Sequence, residues 1–233
     1  MKFNSSGTDS SGVQVIASPE LVGAWRRLLE RKSHMLLAVG LTIWGIATLL
    51  GFAVMLAYAN SAGPVAAARS TWPTDSRLRA DSARANLVLL IHPRCPCSRA
   101  TLGELQEILR LCRGRVTAQV VFLKPRQFSD EWARTDLWNS AAEMPDVRVS
   151  FDEDGHEAKR FGATTSGHVA LFDDSGRLMF QGGITVSRGH RGDNVGRRKV
   201  IDLLNGTTTE PAELPVFGCS LFNDKCVDRA VTQ

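Results

Sequence analysis

The amino-acid sequence predicts an α/β domain carried behind one membrane-spanning helix. Two observations carry that prediction. An uncharged apolar run occupies Met35 to Ala59, and from residue 85 onward short apolar runs alternate with segments of helical spacing before closing on a hairpin and a final helix. The 233 residues leave room for one domain of ordinary size beside the apolar run. Charged residues make up 22% and hydrophobic ones 43%, a balance that supports a packed core and excludes a wholly disordered chain. The net charge of +4 is spread thinly except near residues 26–32 and 188–199, so no nucleic-acid surface is expected.

The run from Met35 to Ala59, MLLAVGLTIWGIATLLGFAVMLAYA, is 25 residues long, and a bilayer core needs about 20 as helix. It has no polar face to turn toward water, so a buried core helix is a poor reading of it. Arg26, Arg27, Arg31 and Lys32 precede it and Asn60 to Ala68 carries no charge, which keeps the N-terminus cytoplasmic and sends the rest of the chain outside. Ala57 and Ala59 form a small-residue pair of the kind a signal peptidase accepts. The apolar run nevertheless exceeds the usual signal-peptide core of about 7 to 15 residues, so an uncleaved signal anchor is expected. The expected organisation is a cytoplasmic tail at 1–34, disordered over its Ser- and Gly-rich first 20 residues, and a transmembrane anchor at 35–59. A Pro-containing linker at 60–84, a folded domain at 85–205 and an extension at 206–233 follow. The domain then sits on the periplasmic or external side of the inner (plasma) membrane.

Within the domain, Asn86 to Ile91 reads as a buried parallel strand that ends at Pro93. Leu102, Leu105, Ile108, Leu109 and Cys112 recur at helical spacing from Ser98 until Gly114 stops the helix, which puts Cys112 on the buried face. Thr117 to Leu123 is a second strand, Asp130 to Ala142 a helix, Val147 to Phe151 a short strand and His156 to Phe161 a further helix. His168 to Phe172 and Leu178 to Gln181 flank the turn sequence Asp173-Asp174-Ser175-Gly176 as a hairpin. Asn194 to Leu204 is the last helix. Strands alternating with helices and closing on a hairpin and a helix predict a mixed sheet covered on both faces, a three-layer α/β domain.

This order, with cysteines at the end of the first strand, resembles the thioredoxin fold over about residues 85–205, in particular its extracytoplasmic TlpA and peroxiredoxin-like branch. The segment Cys95-Pro96-Cys97-Ser98-Arg99-Ala100-Thr101-Leu102 falls where that branch carries its Cys-Pro-Pro-Cys motif. Aligned without a gap, Cys95 takes the nucleophile position, Cys97 a spacer position and Ser98 that of the usual resolving cysteine. HPRCPCSRATL, TSGHVALFD, GGIT with RGHRGDN, and VFGCSLF resemble more closely a small group of membrane proteins called RedB. The resemblance implies a thioredoxin-like domain and thiol-disulfide exchange with a protein partner outside the cytoplasm, without a cofactor. One departure stands out: the family's cis-proline loop is here Thr165-Ser166-Gly167-His168, so Ser166 or Gly167 must take that place, and a dedicated partner is favoured over general exchange.

A strand-to-helix junction leaves backbone N–H groups and the positive end of the helix dipole beside Cys95 and Cys97, which favours the reactive thiolate. A disulfide between residues two apart closes a strained and easily reduced ring. The rival chemistry is copper: soft thiolates in Cys-x-Cys with His92 three residues before form a candidate Cu(I) set of Cys95, Cys97 and His92. His92 alternatively polarises the thiols or ends the strand. Cys219 and Cys226 either pair with each other as a structural disulfide or leave Cys219 free to fold back as a resolving thiol. In the second case Cys219 is expected beside the Cys95-Pro96-Cys97 turn, with the Arg188 to His190 loop next to it. In the glycine-rich loop GGITVSRGHRGDN, Arg188 and His190 are candidates to stabilise a thiolate or an anionic group, and Asp193 or Asn194 to cap the last helix.

Overall fold

The computed structural model describes residues 19–64 and 69–222, and the chain divides after Met55 into two units. α1 (Pro19–Ala59), most of it in the first unit, contains a stretch, Trp25–Ala59, long and apolar enough to cross a membrane. Its most apolar window averages a hydropathy of 2.1, and Leu36, Trp44, Leu50 and Met55 along it are bare. The helix begins well before the expected start at Met35 and takes in the Arg26 to Lys32 stretch, since nothing between Pro19 and Met35 breaks it. The expected disordered segment falls almost wholly outside the described residues.

The second unit is built on one mixed sheet. Its elements are β1 (Ala85–Ile91), α2 (Ser98–Leu111), β2 (Val116–Lys124), α3 (Asp130–Ala133), α4 (Asp136–Ala142), β3 (Val147–Glu153), α5 (His156–Arg160), β4 (His168–Phe172), β5 (Leu178–Gly182), α6 (Val195–Leu204) and β6 (Ala212–Glu213). The strand order is β3-β2-β1-β4-β5-β6. β1 runs parallel to β2 and antiparallel to β4, and β4 is antiparallel to β5, so a βαβ half and a ββα half meet at the β1–β4 seam. This is the arrangement that the resemblance implies. β1 and β2 are buried on both faces because both are covered.

Leu87, Leu89 and Ile91 of β1 pack with Leu102, Leu105 and Ile108 of α2, Leu137 of α4 and Val200 of α6 in the larger core. Val88 and Leu90, on the opposite face by strand alternation, pack with Ala158, Phe161 and Phe172 in the smaller one. Cys112 is buried in the first of these cores, as its helical phase requires.

Three departures bear on the site. The helix expected over Asp130 to Ala142 is broken into α3 and α4, because Thr135 adopts an extended backbone and its hydroxyl donates to Pro93 O at 3.1 Å, tying the break to the loop before the cysteines. Residues 69–84, expected as linker, pack on the domain: the Trp72 ring lies edge-on to Phe161 and Phe172, 5.1 Å from each. The extension after α6 adds the edge strand β6, then lays Val216 and Leu221 into the body of the domain.

Candidate functional site

β1 delivers the chain to His92 at one end of the sheet, where two turns form in succession. Cys95 N–H donates to His92 O at 3.1 Å and Ser98 N–H to Cys95 O at 3.1 Å, so Cys95-Pro96-Cys97 becomes the tip that leads into α2. No side chain caps α2, and no acidic residue occupies its first turn. The positive end of the helix dipole therefore stands at the cysteines, as the sequence predicts, although Ser98, Ala100 and Thr101 N–H already donate to the carbonyls of Cys95 and Cys97.

Behind this tip Ser166 joins three segments. Its hydroxyl accepts from His92 N–H at 2.8 Å and lies 3.0 Å from the hydroxyl of Ser98, while its own N–H donates to Cys219 O at 2.8 Å. Ser98, which the resemblance aligns with a resolving cysteine, is thus a buried strut. Of the two candidates for the cis-proline position, Ser166 presents the backbone donor, and Gly167 makes the turn. Gly167 has φ of +94°, its N–H donates to Leu90 O, and a Cβ there would meet Thr101 Oγ1 at 3.1 Å.

The C-terminal arm fills the space beyond Ser166. Leu221 N–H donates to Thr164 O at 2.9 Å, and Thr165 and Ser220 form an antiparallel bridge. Gly218 permits this approach, since a Cβ there would stand 1.9 Å from Ser166 O. Arg188 reaches across to donate from Nη1 to Gly218 O, and its guanidinium lies over the Tyr58 ring at 4.7 Å.

The arm brings Cys219 Sγ to 3.0 Å from Cys95 Sγ, and the sulfurs of Cys95, Cys97 and Cys219 all lie within 4.8 Å of one another. All three are free thiols. Cys95 is only 2% exposed; Cys97 and Cys219 are half-buried. Cys226, the other candidate partner of Cys219, lies outside the described residues.

The three thiols shift one another in opposite directions. Hydrogen bonding from Cys219, then from Cys97 and Ser98, holds Cys95 far below the ordinary thiol range against the opposing effect of burial. Cys219 is pushed far up by its hydrogen bonds to Cys95 and Cys97 and by burial. The hydrogen bond from Cys219 lowers Cys97, but hydrogen bonding to Cys95, burial and the charge on Cys95 outweigh it, and Cys97 is raised. Arg188 acts on Cys97 in the lowering direction. These directions favour Cys95 over Cys97 and Cys219 as the group that ionises first. Cys112 is raised by burial.

The remaining candidates separate into near and remote. Pro96 is exposed at the lip of a groove of about 350 Å³ that Arg94, Cys95, Arg99 and Thr135 also line. His92 is buried, which lowers its pKa; its Nδ1 accepts from Arg94 N–H at 3.1 Å and its ring meets Trp132 edge-on at 5.6 Å. Among the described residues, the only group of three or more candidate ligand atoms within 4.8 Å of one another is the cysteine trio, so the expected set of Cys95, Cys97 and His92 is not assembled and Cys219 takes the place of the histidine. His190 is exposed with Nδ1 2.8 Å from Arg188 O, in contact with the loop rather than the thiols. His168 is sealed in β4 on the Ala170 and Phe172 face; burial lowers its pKa to about 4 and leaves Nε2 without a partner.

Sequence reasoning missed Ser166 as a hub, Gly218 as the point of close approach, and Glu104. Glu104 is 1% exposed, pairs with Arg197 at 2.6 Å and accepts from Gly192 N–H at 2.7 Å, which clamps the glycine-rich loop onto α2. A carboxylate one position before Leu105, on the apolar phase of α2, was the available signal. Asn194 caps α6 by accepting from Arg197 N–H at 2.7 Å, as one of the two expected candidates.

No protein-family model and no curated protein matches the sequence. Solved structures do. An uncharacterized conserved protein from Geobacillus kaustophilus is similar with a TM-score of 0.50 and 19% identity, covering 70% of this chain and 92% of its own. A hypothetical protein from Sinorhizobium meliloti 1021 is similar with a TM-score of 0.48 and 19% identity over 69% of this chain and 93% of its own. An exposed lipoprotein thioredoxin from Streptococcus pneumoniae strain TIGR4 gives 0.39 and 16% over 54% and 86%. At these identities the likeness is one of fold. The chain has a mixed α/β domain whose strand order is the one the thioredoxin resemblance implies; among the described residues one apolar helix long enough to span a membrane precedes it, and the cysteine trio gathers where β1 meets α2.

Proposed function

We propose that the protein is a membrane-anchored thiol-disulfide oxidoreductase of the RedB type, with its domain outside the cytoplasm and Cys95 as the attacking sulfur. The observation that carries this reading is the 3.0 Å approach of Cys219 Sγ to Cys95 Sγ, and hydrogen bonds from Cys219 and Cys97 lower the Cys95 pKa. In the reducing direction, the Cys95 thiolate attacks one sulfur of a partner's disulfide. A mixed disulfide forms, and the partner's other sulfur leaves as a thiolate that takes up a proton. Cys219 or Cys97 then loses its proton and attacks Cys95 Sγ, releasing the partner's second thiol. The protein keeps a Cys95–Cys219 or Cys95–Cys97 disulfide, and two electrons have passed to the partner. The reverse sequence oxidises a partner dithiol. No cofactor enters either direction.

With two candidate resolvers in reach of Cys95, replacing Cys97 alone leaves Cys219 to clear the mixed disulfide. The test is trapping in cells: Cys97→Ser with Cys219→Ser should accumulate mixed disulfides through Cys95, each single variant much less, and Cys95→Ser none. Trapping that persists in Cys95→Ser would defeat the assignment. A reporter fused after Gln233 should be active only outside the cytoplasm, given the basic residues before the anchor and the uncharged flank after it. The partner is a protein thiol or disulfide in that compartment, with the groove beside Pro96 as its approach.

A further inference from the structure

We propose that the reduced protein binds a single Cu(I) ion through the sulfurs of Cys95, Cys97 and Cys219. The proposal goes beyond thiol exchange and rests on the placement of the three sulfurs, whatever partner the thiols serve. A metal at the centre of a planar sulfur triangle, with metal–sulfur bonds of about 2.3 Å, requires its ligand atoms roughly 4.0 Å apart. The three sulfurs already lie within 4.8 Å of one another, and the Cys95–Cys219 separation of 3.0 Å has to open by about 1 Å. Cys219 itself is half-buried, and a change in its own side-chain rotamer supplies that movement while Val216 and Leu221 keep the arm packed on the domain.

The donor set selects the ion. Three thiolates are soft and favour Cu(I) over the hard divalent cations. No histidine or carboxylate completes a fourth corner in the described residues, which disfavours the tetrahedral geometry that structural zinc demands. Three thiolates around a monovalent ion leave a net charge of −2. The Arg188 guanidinium, whose charge already acts on Cys97, and the bare N-terminus of α2 lie on hand to offset it. Access also fits: Cys95 forms the buried floor, while Cys97 and Cys219 are half-exposed above it as entry ligands. Binding is a ligand exchange in which Cu(I) leaves its carrier and the thiols that still hold protons release them; no electron moves.

The probe is Cu(I) presented to full-length reduced protein in detergent by a chromophoric chelator. Wild type should withdraw one ion per chain. Cys219→Ser should weaken binding by more than about tenfold, the low end of what loss of even an outer-shell partner costs a metal site, while His92→Ala should leave it within about twofold. X-ray absorption on the loaded wild type should count three sulfurs and no nitrogen, a readout that survives if the Cys219 variant fails to fold. Failure to take copper from the chelator, a sulfur count of two with nitrogen present, or equal affinity in Cys219→Ser would each overturn the site. Since no partner is present, failure here leaves the exchange reading standing, and a chain that binds copper but traps no mixed disulfide would reverse that outcome.

Discussion

His168 makes the protein's stability depend on acid in a way that one substitution isolates. Its ring is 2% exposed in β4, its Nε2 has no partner, and burial lowers its pKa from 6.5 to about 4. The unfolded chain binds the His168 proton below about pH 6.5, whereas the folded chain refuses it until about pH 4. Between those values the unfolded state holds more protons, so the stability due to neutral His168 is complete above pH 6.5 and drains away as the pH falls. At 1.36 kcal/mol per pH unit, the full loss is on the order of 3 kcal/mol, of which roughly 2 kcal/mol is spent between pH 7 and 4.5. Buried Asp152 acts in the opposite sense, since burial raises its pKa and the folded state takes up that proton first. The measurement is therefore a difference. Urea midpoints of full-length wild type and His168→Leu in detergent, at pH 7 and pH 4.5, should show the wild type losing roughly 2 kcal/mol more than the variant over that interval. Parallel losses in the two proteins would refute the sealed, neutral histidine.

Three further outcomes test the site. A small alkylating reagent at pH 5.5 should label Cys95 well before Cys112, because hydrogen bonding lowers the Cys95 pKa and burial raises that of Cys112; mass spectrometry of the labelled peptides reads the order, and equal labelling contradicts it. Gly218→Ala places a Cβ 1.9 Å from Ser166 O, so the arm should lift, Cys95 should alkylate several-fold faster, and mild oxidation should yield less Cys95–Cys219 disulfide; an unchanged rate removes the arm as its cover. Glu104→Gln leaves the guanidinium of Arg197, 20% exposed, with only Asp193 at 3.7 Å, and should cost about 2 kcal/mol by urea unfolding, less than the 3–5 kcal/mol of a fully buried pair. A neutral result would show that the clamp on the glycine-rich loop adds nothing to the fold.

Local patterning made most of the architecture readable. The apolar runs of β1 and β2, the helical phase of Leu102, Leu105 and Ile108, and the turn Asp173-Asp174-Ser175-Gly176 each depend on neighbours within a few positions, and each element formed close to where its pattern ends. The anchor was legible for the same reason, since its length and lack of charge are properties of a continuous segment. The placement of Cys95 and Cys97 at a helix start followed from that local reading. Patterning failed where a distant partner intervened: the hydroxyl of Thr135 bonding to Pro93 O split one expected helix into two, and Trp72 turned expected linker into part of a core.

The site was assembled over longer distances. Cys95 and Cys219 are 124 positions apart, Ser98 and Ser166 are 68 apart, and neither pairing leaves a trace in spacing or periodicity. The VFGCSLF motif directed attention to Cys219, but two pairings stayed open because sequence carries no distance between remote thiols. The backbone bonds from Ser166 to Cys219 and from Leu221 to Thr164 brought Cys219 to Cys95, and Gly218 supplied the room they need. His92, engaged by Arg94 N–H and the Trp132 ring, stays outside the expected ligand set, and the arm puts a third sulfur in its place. Residue types and local order thus came from short-range chemistry written along the chain. Which thiols meet came from backbone donors and acceptors that only the closed sheet and its returning arm bring face to face, and the hydrogen bonds among the gathered thiols then favour ionisation of Cys95.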